Sequence, residues 1–217
     1  MDDPKNAVHL GKSLFEIADQ WKLDVPTSCG RNGECHECVV EITAGMKSLS
    51  DPSETESFLK EPYRLACQAK IIDDGPIEFS PLRRSPKILS KGMGKQNLQL
   101  EPMVTRREDK VFYGEQCIDE YRGHLLGLAV DLGTTTIVVD MINLESGQSI
   151  ERLSFENPQK FGGSDVMHRI SYDGGPHEGE LKKALITVIN RTIRTLARHH
   201  KAPRRCIYEI VIAGNST

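Results

Sequence analysis

Residues 28–38 read SCGRNGECHEC and residues 63–71 read YRLACQAKI. The first stretch spaces Cys29, Cys35 and Cys38 as C-x5-C-x2-C, and the second adds Cys67, 29 positions beyond Cys38. Soft thiolates in this number suit iron–sulfur chemistry. A loop that wraps three sulfurs around a cluster must turn sharply with its N–H groups inward. Gly30 and Gly33 permit that turn, because glycine takes positive φ at little cost. Inward N–H groups also donate to the sulfurs and tune the site. The four cysteines therefore predict a [2Fe–2S] cluster. Zinc is the rival, but zinc sites of four cysteines usually pair two short C-x2-C units, and only one is present. His36, inside the loop, reads as surface filler, and Cys117 and Cys206 as incidental thiols.

The loop lies in a segment with the pattern of a small α+β domain. Apolar Leu14, Ile17, Ala18 and Trp21 recur at helical spacing after Ser13 and Glu16, a capping box. Residues 38–43 (CVVEIT) read as a strand, 53–60 as a short helix, and 63–72 and 77–79 as strands around the Asp73-Asp74-Gly75-Pro76 turn. Only about twelve residues precede the helix, so any first strand is expected to be short or absent.

Charge is unevenly spread. Residues 1–82 hold 8 Lys/Arg against 15 Asp/Glu, and residues 83–111 hold 8 against 3. The acidic head suits steering of a basic redox partner, and equally a solvated surface. The basic stretch RRSPKILSKGMGKQ has no sustained periodicity and reads as a linker. It lacks interleaved aromatics for stacking bases, so nucleic acid is not expected as a partner. No apolar run is long enough to span a bilayer, and the acidic start is unlike a signal or transit peptide, so the expected compartment is the cytoplasm. Clustered cysteines in a reducing compartment point to metal or redox chemistry rather than disulfides.

A second domain begins near Leu125. Residues 125–133 (LLGLAVDLG) and 134–144 (TTTIVVDMINL) are apolar strand runs flanking a tight turn. SIERLSFE gives a third strand, 178–200 an amphipathic helix, and CIYEIVIAG a last strand. An ending straight after that strand suggests a longer parent. Around the tight turn, Asp131, Gly133, Thr134 and Thr135 form D-x-G-T-T. A turn with glycine and hydroxyls can aim donors at phosphate oxygens, and Asp131 can help hold hydrated Mg2+. A plain β-turn is the competing reading, and neither Walker nor Rossmann glycine spacing is present.

The cysteine loop resembles the adrenodoxin-type variant of the β-grasp ferredoxins. D-x-G-T-T resembles the first phosphate loop of the actin, sugar kinase and heat-shock ATPase superfamily, whose fold is ribonuclease H-like. The two in this order, with YRLACQ, NPQKFGGSDVMHRI (157–170) and IAGNST (212–217), resemble the ATP-dependent reductive activators of corrinoid proteins. That resemblance implies a β-grasp [2Fe–2S] domain (1–82), a linker (83–124) and the start of an actin-like ATPase domain (125–217). It further implies Co(II)-to-Co(I) reduction of the corrinoid cofactor in a methyltransferase system such as an O-demethylase. The cofactors implied are the cluster, ATP and Mg2+, and the partners are a corrinoid protein and an upstream electron donor. A homodimer is left open. Asn157, Gly162, Asp165 and Asn215 are expected near the nucleotide or on the partner-facing side. With a second phosphate loop missing, this stretch alone is expected to bind nucleotide weakly and to be inactive as an ATPase.

A plant-type cluster sits at about −400 mV, and Co(I) formation is expected to require a lower potential. Each ~59 mV uphill costs a factor of ten for one electron. The reductant alone therefore does not suffice, which gives ATP and differential binding of the partner a purpose. Three alternatives stay open. One is a simple electron carrier on a scaffold. Another is an activator of a radical dehydratase or reductase, a class that bridges a [4Fe–4S] cluster across a dimer. The third is a zinc-bound interaction module.

Overall fold

A computed structural model describes residues 10–82, 87–88 and 100–214. By its contacts the chain divides into two units, one of Met1–Ser85 with Pro158–Val188 and one of Pro86–Asn157 with Ile189–Thr217.

In the first unit, helix α1 (Leu14–Gln20) begins at Ser13, whose hydroxyl accepts from the Glu16 amide while the Glu16 carboxylate accepts from the Ser13 amide. The predicted capping box is therefore formed. Leu14, Phe15, Ile17 and Ala18 are buried on one face, as helical spacing requires. They share a core with the sheet β2-β1-β3, made of β1 (Val39–Ala44), β2 (Tyr63–Leu65) and β3 (Glu78–Pro81), antiparallel throughout. Ahead of α1, Gly11 donates to the Ile71 carbonyl and Ser13 bridges Lys70 in antiparallel fashion. The acidic start of the chain lies outside the described residues.

Two local expectations change. The helix expected over 53–60 contracts to a single 3-10 turn, Glu54–Glu56. The Glu56 carboxylate is drawn inward instead, to Arg64 and the Leu65 amide. The strand expected over 63–72 stops at Leu65, where Gln68 and Ala69 both donate back to the Leu65 carbonyl. That turn carries Cys67.

Residues 158–188 also belong to this unit. They comprise a 3-10 turn (Pro158–Gly162), α2 (Val166–Asp173) and the first part of α3 (Glu180–His199). Phe161, Leu181 and Ala184 are buried in the same core as α1 and β1. The boundary read from the sequence assigns this stretch to the second domain. By contacts, its apolar side chains pack in the core of the first unit.

The second unit is built on a five-stranded sheet ordered β11-β8-β9-β10-β4. Its strands are β4 (Lys87–Ile88), β8 (Leu126–Leu132), β9 (Thr136–Asn143), β10 (Ser149–Glu156) and β11 (Ile207–Gly214). The runs β8, β9 and β10 pair antiparallel, and β11 returns parallel to β8. Alternate residues Leu128, Val130, Ile137, Val139 and Met141 are buried, the period of two that a packed strand face demands. The segment expected to be a linker holds a further sheet, β5 (Val104–Arg107), β6 (Lys110–Tyr113) and β7 (Gln116–Glu120), antiparallel in that order. Val104, Val111 and Leu125 form its small core. Most of the basic stretch between β3 and β5 lies outside the described residues.

Candidate functional site

Between α1 and β1 five residues take positive φ: Lys22 (56°), then Gly30 (68°), Arg31 (73°), Gly33 (93°) and His36 (57°) in the cysteine loop. At Gly33 a side chain is disfavoured on two counts. Besides the φ, a Cβ would lie 3.1 Å from both Gln68 Nε2 and Thr55 Oγ1. The loop's outer bend is tied down by Arg31, whose guanidinium sits 4.0 Å above the Phe15 ring and 2.8 Å from Asp19. Ser28 donates to Glu37 at 2.9 Å.

Wound this way, the loop turns its N–H groups inward. The amides of Asn32, Gly33 and Cys35 donate to the Cys29 sulfur, as does the Cys35 thiol. Partial burial pushes the Cys29 thiol up, but these donors outweigh it and bring it down to about 6. Thr27 Oγ1 lies 3.9 Å from both Cys29 Sγ and Cys35 Sγ. The turn after β2 brings Cys67 to Cys38, with 3.4 Å between the sulfurs. The Cys38 thiol, donating to Cys67, is held in its protonated form, and burial acts in the same direction. Cys67 moves the opposite way, to about 7, through that hydrogen bond and, against its burial, through Gln68 Nε2 at 3.4 Å.

The four sulfurs thus fall in two groups, Cys38 with Cys67 at 3.4 Å and Cys29 with Cys35 around the Thr27 hydroxyl. Two irons that each take two cysteine sulfurs require such a donor set. The residues present fit a [2Fe–2S] group. Cys117 on β7 and Cys206 before β11 belong to the other unit.

Asp131, Gly133, Thr134 and Thr135 lie at the turn from β8 to β9, where Leu132 pairs with Ile137. Asp131 and Thr135 are exposed. A Cβ at Gly133 would sit 2.5 Å from the Thr136 carbonyl oxygen, so the turn is tighter than any side chain permits. Asn157, 2% exposed, braces it from below. Its side-chain amide donates to the Gly133 carbonyl at 2.9 Å and its backbone N–H to the Thr135 carbonyl at 2.8 Å.

The other residues singled out with the loop do different work. Asp165 caps α2 by accepting from the His168 amide at 3.0 Å. Gly162 packs where a Cβ would be 2.6 Å from Leu181 Cδ2. Asn215 lies outside the described residues. His36 is not surface filler. Its ring stacks on Phe58 at 4.1 Å and its Nδ1 donates to Glu180 at 2.8 Å. No local signal announced that contact, since the partners are 144 residues apart.

Comparison with known proteins matches two parts of the chain. Residues 3–71 match the family described as a 2Fe-2S iron-sulfur cluster binding domain, and residues 126–217 the family described as the RACo middle region. The chain is thus similar to a 2Fe-2S cluster binding domain in its first part and to a RACo middle region in its last, in the order read from the sequence. A component of the Na(+)-translocating NADH-quinone reductase of Pasteurella multocida (strain Pm70) is 38% identical over 86 residues, covering 36% of this chain and 20% of the relative. The corrinoid activation enzyme RamQ of Eubacterium limosum is 32% identical over 95 residues, covering 43% of this chain and 16% of the relative. The matched stretches therefore span a fifth or less of these relatives. A solved structure titled as a reductive activator for corrinoid, iron-sulfur protein aligns with 99% of this chain and 45% of its own, with a TM-score of 0.48 and 21% identity. Among the described residues no helix is long and apolar enough to cross a membrane.

Proposed function

We propose that this chain is the electron-transfer and first nucleotide-binding part of a corrinoid reductive activator. The observation that carries the proposal is the conjunction, in one chain, of a four-thiol loop and a stretch that matches the RACo middle region. Cys29, Cys35, Cys38 and Cys67 would hold the [2Fe–2S] group, which supplies a one-electron couple when bound.

The chain's own residues do the rest. The amides of Asn32, Gly33 and Cys35 and the side chain of Gln68 direct hydrogen bonds at the sulfurs, which stabilises added negative charge there. At the other site, Thr134 and Thr135 offer hydroxyls and backbone N–H groups to nucleotide phosphates, and Asp131 stands free to orient hydrated Mg2+. Asn157 fixes the turn that presents them.

The substrate is the Co(II) corrinoid of a partner protein in a methyltransferase system such as an O-demethylase, reduced to Co(I). An upstream donor refills the couple, and the setting is the cytoplasm. Reduction uphill by even ~59 mV loses a factor of ten. ATP use and differential binding of the partner are assigned the work of overcoming that gap.

A plain electron carrier is the second reading, favoured by the likeness to the NADH-quinone reductase component, which is confined to 36% of this chain. One experiment separates the two. The full-length protein, anaerobic and reduced, is mixed with a Co(II) corrinoid protein, and cobalt absorbance is followed with and without ATP. ATP-dependent appearance of the Co(I) band supports the activator. Reduced protein with no Co(I) band under either condition sinks it and leaves the carrier.

A further inference from the structure

We propose that Pro158–Val188 is a clamp on the cysteine loop, with His36 and Glu180 as its positioning pair. The inference rests on the reading of that loop as the [2Fe–2S] site. It starts from the Phe161-Gly162-Gly163 stretch, which the nucleotide site does not use.

The two glycines let a 3-10 turn lie flat against helices. A Cβ on Gly162 would be 2.6 Å from Leu181 Cδ2 and 3.2 Å from the Tyr172 ring, and one on Gly163 would be 2.4 Å from His168 Cβ. Close approach delivers Phe161 into the ferredoxin core, where its ring meets Phe58 edge-on at 5.9 Å and Tyr172 at 5.7 Å. Two polar contacts fasten the same surfaces. The Tyr172 hydroxyl donates to the Phe58 carbonyl at 2.5 Å, and Lys160 Nζ lies 2.6 Å from the Glu41 carboxylate on β1.

Phe58 is the hinge of the arrangement, since His36 stacks on it at 4.1 Å with 16° between the rings. The first turn of α3 then reaches the loop directly. Glu180 accepts from His36 Nδ1 at 2.8 Å, with both side chains about one-fifth exposed. Lys183 Nζ donates to the Glu34 carbonyl at 3.4 Å. Glu34 and His36 are the two neighbours of Cys35, so α3 holds the chain on both sides of one sulfur. His36 and Arg31 adopt positive φ without being glycine. Such conformations persist only where the surroundings over-determine them. The clamp supplies that constraint at His36 and keeps Cys35 paired with Cys29.

The test uses the full-length, iron-loaded protein and two readouts besides activity: iron loss to a chelator and amide hydrogen exchange over residues 29–38. His36→Asn tolerates positive φ but falls short of Glu180, while Glu180→Gln retains an acceptor. We expect His36→Asn and Glu180→Ala each to speed iron loss roughly tenfold, the factor that ~1.4 kcal/mol gives. The double variant should be no faster than the faster single one, and Glu180→Gln should stay near the parent. Faster exchange should be confined to the loop. Parent-like iron loss in both single variants, or effects that multiply in the double variant, overturns the clamp. If Glu180→Ala does not fold, Lys183→Met, which removes only the bond to Glu34, must still raise loop exchange for the clamp to stand. A parent that takes up no iron instead refutes the cluster reading itself, so the two failures are distinguishable.

Discussion

Asn157 bridges both sides of the β8–β9 turn, its side chain donating to Gly133 and its backbone N–H to Thr135. The side-chain bond answers the Gly133 carbonyl in the turn, and Asn157 is almost fully buried. Asn157→Ala keeps the backbone bond and removes the other, so the loss should be about 1–3 kcal/mol, the cost of an unsatisfied buried polar group. Urea unfolding checks this. An unchanged midpoint would show that the turn holds itself.

Glu56 and Arg64 form a buried ion pair in the first unit, with side chains 1% and 3% exposed. Glu56 accepts from Arg64 Nε and Nη2 and from the Leu65 amide, and Arg64 also reaches the Ser50 carbonyl. Removing one partner strands the other charge, so Arg64→Ala should destabilise by about 3–5 kcal/mol in denaturant titrations.

The same pair sets an acid limit. Burial pushes the Glu56 carboxyl up, but Arg64 and the Ser53 and Leu65 amides outweigh it and hold the group below its ordinary 4.5. A folded value below the unfolded one contributes stability above about pH 4.5 that is lost as pH falls through the depressed value. Denaturation midpoints between pH 3 and 7 should fall less steeply on the acid side in Glu56→Gln than in the parent. Parallel profiles would assign the acid limit to other carboxylates.

What the sequence made legible was local. The capping box at Ser13 and Glu16, the alternation in β8 and β9 and the stripe on α3 each lie within one element, where periodicity reports burial directly. The thiol loop was legible because three of its cysteines are close in sequence. The contacts of His36 were not, because Glu180 and Phe58 arrive from other elements. The sheet at 104–120 escaped because its strands are short and charged, with burial resting on Val104 and Val111. The strand after Tyr63 was read too long because CQAK continues an apolar rhythm, whereas the turn there serves the Cys67 sulfur.

The proposed ligand set makes a sharp distinction among the six thiols. Cys→Ser at 29, 35, 38 or 67 should reduce bound iron to a small fraction of the parent, since each irreplaceably completes one pair. Cys117→Ser, at an exposed position on β7, should leave iron content and visible absorbance unchanged. Iron analysis of the reconstituted variants checks both, and retention of full iron in any of the first four would remove that residue from the set.

Gly133→Ala offers the cleanest probe of the proposed nucleotide turn. The added methyl would stand 2.5 Å from the Thr136 carbonyl, closer than carbon and oxygen approach, and the obstacle is backbone rather than a side chain that can swing away. The turn must therefore open, moving Thr134 and Thr135 relative to Asp131. In the full-length protein, the ATP-dependent part of Co(II) reduction should fall by about tenfold or more, as ~1.4 kcal/mol of lost binding or activation would give. The thiol loop belongs to the other unit, so iron content and cluster absorbance should match the parent. Loss of the cluster in this variant would mean that the substitution unfolds the protein rather than the turn. Undiminished ATP stimulation with a folded, iron-loaded variant would place the nucleotide elsewhere.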